Sequence, residues 1–335
     1  MSLKVTLICT VLNEGSSIQK LLDSIIRQTR LPDEIIFVDG GSSDQTVSTL
    51  RNFASEQQLP LRVIIEPGAN ISRGRNIAIA AAAGPIIAST DAGVRLDKYW
   101  LEVLLKPFHS ESPPAVVSGF FTPDPHTAFE VAMGATVLPR VSDINPLTFL
   151  PSSRSIAFLK SGWEAAGRYP EWLDYCEDLV FDFRLRDEVG PFAFAPDALV
   201  YFRPRNTLRA FLKQYYQYAR GDGKADLWRK RHAIRYFTYL VGLPLFLVLG
   251  LFSSPWWWVA GAVLGGMGLF LTPYRRLVRL WRLLSTVEKM QAIFWVPIIR
   301  ITGDIAKMIG YPTGWRWRLQ RLTSQPELRW RPAKK

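Results

Sequence analysis

Cysteine is scarce in this chain. Cys9 and Cys176 are the two cysteines among 335 residues, and they lie far apart in apolar or mixed runs. They offer neither a disulfide framework nor a metal-type spacing, and a reducing compartment suits them. Histidine is nearly absent too. His109, His126 and His232 stand alone, which gives no zinc pattern. The first apolar strand is not followed by G-x-G-x-x-G, and no lysine closes a glycine run. Hydride transfer on a dinucleotide and P-loop phosphoryl transfer therefore lose their usual support. The opening "MSLKVTLICTVLNEG" turns polar after a few apolar residues and has no small-residue cleavage site, so no signal peptide is expected. Acid is what the rear of the chain lacks. Residues 201–335 hold 5 Asp/Glu against 24 Lys/Arg, whereas residues 1–200 hold 24 against 17.

What fills the basic rear decides its meaning. Two uninterrupted apolar runs, Phe237 to Phe252 and Trp256 to Leu271, are separated by "SSP". With Tyr236, Ser253, Pro255 and Tyr274 they approach the ~20 residues that cross a bilayer. Tyr236, Trp256, Trp257, Trp258 and Tyr274 sit at their ends, as an interfacial belt would place them, and the basic flanks "WRKRHAIR" and "RRLVRLWR" should both remain on the cytoplasmic side. An even number of spans meets both conditions, so a transmembrane hairpin is expected; a hairpin buried in a soluble core is the other reading. Nucleic acid is not expected, because the cations bracket apolar runs instead of covering a soluble face. Further on, "VEKMQAIFWVPIIRITGDIAKMIGY" reads as an amphipathic interfacial helix, with a third span as the weaker option. The closing "GWRWRLQRL…RWRPAKK" suits anionic headgroups.

The first 200 residues alternate between strand and helix. "KVTLICTV", "DEIIFVD", "LRVIIE" and "PIIASTD" read as strands; "IQKLLDSIIRQ", "DQTVSTLRNFA" and "RGRNIAIAAAA" read as helices. This implies an α/β domain with an open, mostly parallel sheet flanked by helices. Ligands of such sheets bind beyond the carboxyl ends of the strands. Polar clusters recur at those ends: Thr10, Asn13 and Glu14; Asp39 with the "GGSSD" that follows; Thr90, Asp91 and Gly93. One cluster would be turn chemistry. Three at one edge would build a crevice with several carboxylates.

"VLNEG", "DEIIFVDGGSSDQT", "GANISRGRNIAIAAAAGPIIASTDAG" and "GRYPEWLDYCEDL" resemble, in order, the blocks of inverting family-two glycosyltransferases of the GT-A fold. The resemblance runs from about Lys4 to Gly223. It implies that Asp39 contacts the nucleotide base, that Thr10, Asn13 and Glu14 line the same pocket, and that Arg75 and Asn76 lie near the donor. It implies that Asp91 belongs to the D-x-D element that binds Mg²⁺ or Mn²⁺ on the sugar-nucleotide diphosphate, although Gly93 stands at the second aspartate. In "CEDL" it makes Asp178 the general base, with Glu177 beside it. In "QYYQYARGDG" it makes Gln217 and Arg220 diphosphate ligands; Gly221 stands where processive synthases carry Trp. Residue by residue, plainer roles stay open: Asp91 as a turn cap, Glu177 and Asp178 as first-turn helix acids, Arg220 as a membrane-proximal charge.

On this reading residues 1–225 form the catalytic domain, 226–274 a basic linker and transmembrane hairpin, and 275–335 a basic interfacial region. The expected activity is inverting transfer from a nucleoside-diphosphate sugar, with a UDP-sugar first in order, to a hydroxyl of a lipid, lipid-linked or saccharide acceptor. The expected place is the cytoplasmic membrane, multi-pass, with the catalytic domain facing the cytoplasm and anionic lipid as partner. The rival is a degenerate domain that binds a sugar nucleotide or assists membrane assembly without turnover.

Overall fold

The structure, a computed structural model, describes residues 3–331. The last four residues of the basic tail, 332–335, lie outside the described residues, as do residues 1–2. The chain divides into two compact units, one built from residues up to 122 with 140–202, the other from 123–139 with 203–331. The division differs from a boundary at residue 225.

The first unit is a mixed sheet with helices on both faces. Its strands are β1 (Val5–Val11), β2 (Glu34–Asp39), β3 (Leu61–Ile65), β4 (Ile86–Ser89), β5 (Val94–Leu96), β6 (Val116–Pro123), β7 (Ile156–Leu159) and β8 (Ala193–Phe202). Their spatial order is β3-β2-β1-β4-β7-β6-β8-β5. β1 pairs in parallel with β2 and β4, and β2 with β3. The pairs β4–β7, β6–β7 and β5–β8 are antiparallel. The expected mostly parallel sheet is thus half of the structure. β4 and β7 are joined by a long excursion, so the later strand is free to return in the opposite direction.

The apolar runs of β1 and β2 have no polar alternation because both faces are covered. Leu7, Cys9 and Val11 point into one core with Ile35 and Phe37. Ile8, Ile36 and Val38 point into the other. The covering helices are α1 (Gln19–Ile26), α2 (Thr46–Glu56), α3 (Ile71–Ala81), α4 (Trp100–Leu105), α6 (Lys160–Ala165) and α7 (Glu177–Val189); α5 (Ala128–Val137) belongs to the second unit. Asn70 caps α3 by accepting from the Arg73 N–H at 2.9 Å, a standard helix start.

The second unit is helical: α5 with α8 (Leu208–Ala225), α9 (Arg229–Phe237), α10 (Leu243–Phe252), α11 (Trp256–Val278) and α12 (Thr286–Arg321). Phe129, Met133, Phe211, Tyr215, Val296 and Ile299 form its core. α8 and α12 cross at backbone distance. A Cβ at Gly310 would collide with the carbonyl oxygen of Tyr216, one at Gly314 with that of Arg220, and one at Gly223 with that of Tyr311. α10 and α11 also meet through glycines: a Cβ at Gly261 would lie 2.7 Å from Phe246, and Gly250 lies against the Trp258 indole. Small residues at close helix crossings are how helices associate where no hydrophobic effect separates them from their solvent.

Among the described residues one helical segment, Arg229–Phe252, is long and apolar enough to cross a membrane. It joins α9 to α10 through a π-helical turn at Thr238–Gly242. α11 does not reach that mark, because three tryptophans and four glycines dilute its aliphatic content over 256–271. One half of the expected hairpin therefore has the composition of a span. α12 is a 36-residue helix opened by a Ser285–Glu288 capping box. Val287, Met290, Phe294, Ile301, Ile305 and Ile309 are exposed along it while Val296, Ile299 and Ala306 are buried, so it carries apolar side chains on both sides; among the described residues it does not reach the length and apolarity of a span.

Candidate active site

The parallel register puts the carboxyl ends of β1, β2 and β4 at one edge. Val11 pairs with Asp39 and Ile8 with Ser89. Asp39 and Asp91 therefore emerge on either side of β1. The two loops after β1 and β2 are stitched together. Asn13, in the left-handed region at φ 53°, accepts from the Ser43 N–H at 2.9 Å and donates its own N–H to Ser42 Oγ at 2.8 Å. The Glu14 and Gly15 N–H groups both donate to Thr46 Oγ1. Asp39 is buried and accepts from the N–H groups of Gly41 and Ser42 and from the Ser42 hydroxyl. Its first task is to shape the loop, with acceptor capacity left over. Beside it lies an open cleft lined by Thr10, Glu14, Gly40, Asn70, Ile71 and Gly74. A Cβ at Gly74 would lie 2.7 Å from Thr10 Cγ2; glycine is what lets α3 approach β1 there.

Arg75 is the centre of the charged cluster. Its guanidinium is 3% exposed and donates through Nη1 to Glu177 at 2.7 Å and through Nη2 to Asp91 at 3.0 Å. Burial works against its charge, but the carboxylates of Glu177 and Asp91 outweigh it and raise its pKa further. Cys176, just before the pair of acids, is held in the left-handed region at φ 65°. A non-glycine residue there stores backbone strain of about 1–3 kcal/mol, a cost that gathers at functional sites. The strained turn places Glu177 and Asp178 in the first turn of α7. Burial first, then the neighbouring Asp178, pushes Glu177 up to about 7. Burial also raises the Asp178 pKa. Glu177 is tied to Arg75, whereas Asp178 accepts the Leu179 N–H at 2.8 Å and is half-buried.

Asn76 is buried and fully engaged. It donates to the Tyr169 carbonyl and to Glu171 Oε1, both at 2.9 Å, and accepts from the Trp163 indole and the Tyr169 N–H. All four of its hydrogen-bonding positions are used within the protein, so it braces the 163–171 segment. Arg75 likewise holds carboxylates together. Gln217 and Arg220 lie on α8 in the second unit, half-buried, on the stretch that crosses Gly310 and Gly314. The small-residue crossing is itself a structural reason for "QYARGDG".

Two residues join the site that the sequence reading passed over. Arg154 Nε lies 3.6 Å from Asp91 Oδ2. The antiparallel register makes this inevitable: Ser89 faces Ile156, so two residues past one strand end meet two residues before the other. Asp182, one turn after Asp178, is 1% exposed with Oδ2 unpaired. Burial, then the Asp178 charge, raises its pKa well above the usual carboxylate range.

A hard divalent cation needs several oxygen ligands. At this edge Asp91 is the sole carboxylate of the D-x-D element, and its two oxygens face Arg75 and Arg154. No group of three or more His, Cys, Asp or Glu among the described residues is arranged to hold a metal ion. The residues present do not fit a metal held by the protein.

Comparison with known proteins agrees with this geometry. Residues 6–148 match the profile of glycosyl transferase family 2. The O-antigen chain rhamnosyltransferase RfbN of Salmonella typhimurium is 25% identical over 236 residues, covering 64% of this chain and 71% of its own. WbaN of Salmonella anatum, also an O-antigen chain rhamnosyltransferase, is 27% identical over 225 residues, covering 63% and 70%. The mannosyltransferase PcManGT from Pyrobaculum calidifontis, solved in complex with GDP-Man and Mn²⁺, shares the fold with a TM-score of 0.55 at 19% identity, over 91% of this chain and 87% of that one. A parallel strand edge carrying Asp39 and Asp91, an acid pair at a strained helix start, and a glycosyl transferase family 2 match over residues 6–148 meet in one conclusion: this chain is a glycosyltransferase of the GT-A fold.

Proposed function

We propose that the chain transfers a glycosyl unit, with inversion, from a nucleoside-diphosphate sugar to a hydroxyl of a lipid, lipid-linked or saccharide acceptor at the cytoplasmic face of a membrane. The observation that carries the reading is that buried Arg75 joins Asp91 at the strand edge to Glu177, the residue before Asp178. It supports a proton acceptor beside the strand edge where nucleotides bind in open α/β sheets.

In this reading Asp178 takes the proton of the acceptor hydroxyl. The acceptor oxygen forms its bond to the anomeric carbon on the face opposite the diphosphate. The bond from that carbon to the diphosphate oxygen breaks, and its electron pair leaves with the nucleoside diphosphate. The raised pKa of Asp178 suits the base role, since a base works best when its pKa approaches the working pH. Glu177, tied to Arg75, precedes it in the first turn of α7. The cleft beside Thr10 and Gly74 takes the nucleoside. The relatives named as O-antigen chain rhamnosyltransferases support a saccharide acceptor. The exposed apolar surface of Arg229–Phe252 and α12, set among basic residues, supports an anionic membrane.

The test is a panel of UDP-, GDP- and dTDP-linked sugars, a nucleotide-linked rhamnose included, on detergent-solubilised full chain with membrane lipid extract as acceptor. Diphosphate release that depends on the acceptor supports the reading. Donor binding without release on any acceptor would instead establish a degenerate sugar-nucleotide-binding protein.

A further inference from the structure

Arg75 and Arg154 both face Asp91, but they are not equivalent. Arg75 is 3% exposed, and its two terminal nitrogens are used on Glu177 and Asp91. The Arg154 side chain is 21% exposed. Its hydrogen bond to Ser152 Oγ at 3.0 Å and its ion pair with Asp91 both run through Nε. The two terminal nitrogens are left as a fork of donors. The guanidinium lies over the Phe202 ring at 4.6 Å and the Phe121 ring at 5.5 Å, which restrict where the fork can point. A ring-seated arginine with a free fork is suited to bidentate contact with phosphate oxygens.

Gly93 adds a second observation. A Cβ built there meets nothing within 4 Å, and its φ lies outside the left-handed range. Neither packing nor backbone conformation demands glycine at the position where a second carboxylate would stand. The acid is absent from a place that could hold it, while an arginine stands at the oxygen of Asp91 that such a site would have turned to a cation.

Resting on the glycosyl-transfer reading above, we propose that Arg154 binds the donor diphosphate and supplies the charge that balances it as the leaving group departs, with Asp91 orienting the arginine, so that donor binding and transfer need no divalent cation. A cation entering at Asp91 would first have to break an ion pair with a guanidinium. No bond is made or broken by Arg154; it stabilises charge that develops on the diphosphate.

The test is calorimetric titration of the solubilised full chain with UDP, GDP and dTDP and with the corresponding monophosphates, in EDTA and in Mn²⁺. The wild type should bind one diphosphate more tightly than its monophosphate in EDTA, and Mn²⁺ should leave that affinity unchanged. R154Q should lose the diphosphate preference by about tenfold to a hundredfold, the scale of a charged hydrogen-bond pair, while keeping the monophosphate affinity that reports an intact fold. R154K should restore part of it. G93D should acquire Mn²⁺ binding, titrated with the metal alone, that the wild type lacks. A gain of tenfold or more in wild-type diphosphate affinity on adding Mn²⁺, or an R154Q preference equal to wild type, overturns the inference and leaves the transferase reading standing. Failure to bind any of the nucleotides in either condition overturns the donor reading and the inference with it.

Discussion

The two units of this chain use close approach for opposite ends. In the first, parallel strands bring charged residues to one edge and bury the apolar remainder on both faces of the sheet. In the second, glycines on α8 and α12 let backbones touch, while large apolar side chains such as Leu247, Leu251 and Phe252 stay exposed. A unit that hides its hydrocarbon and gathers charge is organised around water and a polar ligand. One that buries an apolar core and also leaves large apolar side chains exposed matches the membrane contact proposed above. Asp304 of that unit is 2% exposed and is held by Arg235 at 2.7 Å and the Tyr239 hydroxyl at 3.1 Å.

The comparison breaks first at Asp178. If the charged edge performs chemistry, D178N should lower turnover by about 10²–10⁴-fold, the usual contribution of a positioned base, with nucleotide affinity kept. Wild-type turnover should fall as pH drops through the raised pKa of the Glu177–Asp178 pair, Glu177 lying at about 7. Turnover of D178N equal to wild type would return both acids to the role of helix-start residues. Next in size is the apolar surface. Leu247→Arg with Leu251→Arg should release the chain from membranes in a flotation assay, each arginine costing about 2.5–3.5 kcal/mol at a bilayer centre. Undiminished flotation would assign that surface to something other than lipid.

The glycines give a sharper contrast. Gly314→Leu should lower the melting temperature, through a destabilisation of ~1–3 kcal/mol or more from overpacking, since the obstacle is the Arg220 backbone. Gly93→Ala, where a Cβ meets nothing, should stay within about ±0.5 kcal/mol of wild type. Equal effects would erase the distinction between a packing glycine and an incidental one.

The parts that were legible in the sequence are the parts set by local pattern. "KVTLICTV", "DEIIFVD", "LRVIIE" and "PIIASTD" became β1 to β4 because continuous apolar runs of that length, bounded by turn residues, have few other uses. Asp39 and Asp91 could be placed at one edge because parallel strands end together. Arg154 could not be found this way. Its nearness to Asp91 follows from the antiparallel pairing of β4 with β7, strands separated by 66 residues of chain between Ser89 and Ile156, and no periodicity reports such a pairing. The bracing role of Asn76 was hidden for the opposite reason. Its position in a motif suggested a ligand, while its four partners, from Trp163 to Glu171, are a tertiary arrangement. The tryptophans and glycines that weaken α11 as a span were plain in the sequence, yet their belt-like placement outweighed their dilution of aliphatic content.

The smallest effect belongs to Asp182, and its sign carries the information. Its carboxyl is 1% exposed and its Oδ2 has no hydrogen-bond partner. Burial, and then the charge of Asp178, raises its pKa well above the usual carboxylate range. The folded chain thus holds a proton that the unfolded chain has already released. Stability from this group is present below the ordinary carboxylate pKa and is lost as pH rises toward the raised one. D182N has no such proton to lose. Its melting temperature relative to wild type should climb as pH is taken from about 4 to 8; a flat or narrowing difference would mean that the charge is solvated or paired on folding. Such a result would also weaken the contrast between the units, because the first would then tolerate charge inside its core as freely as at its edge.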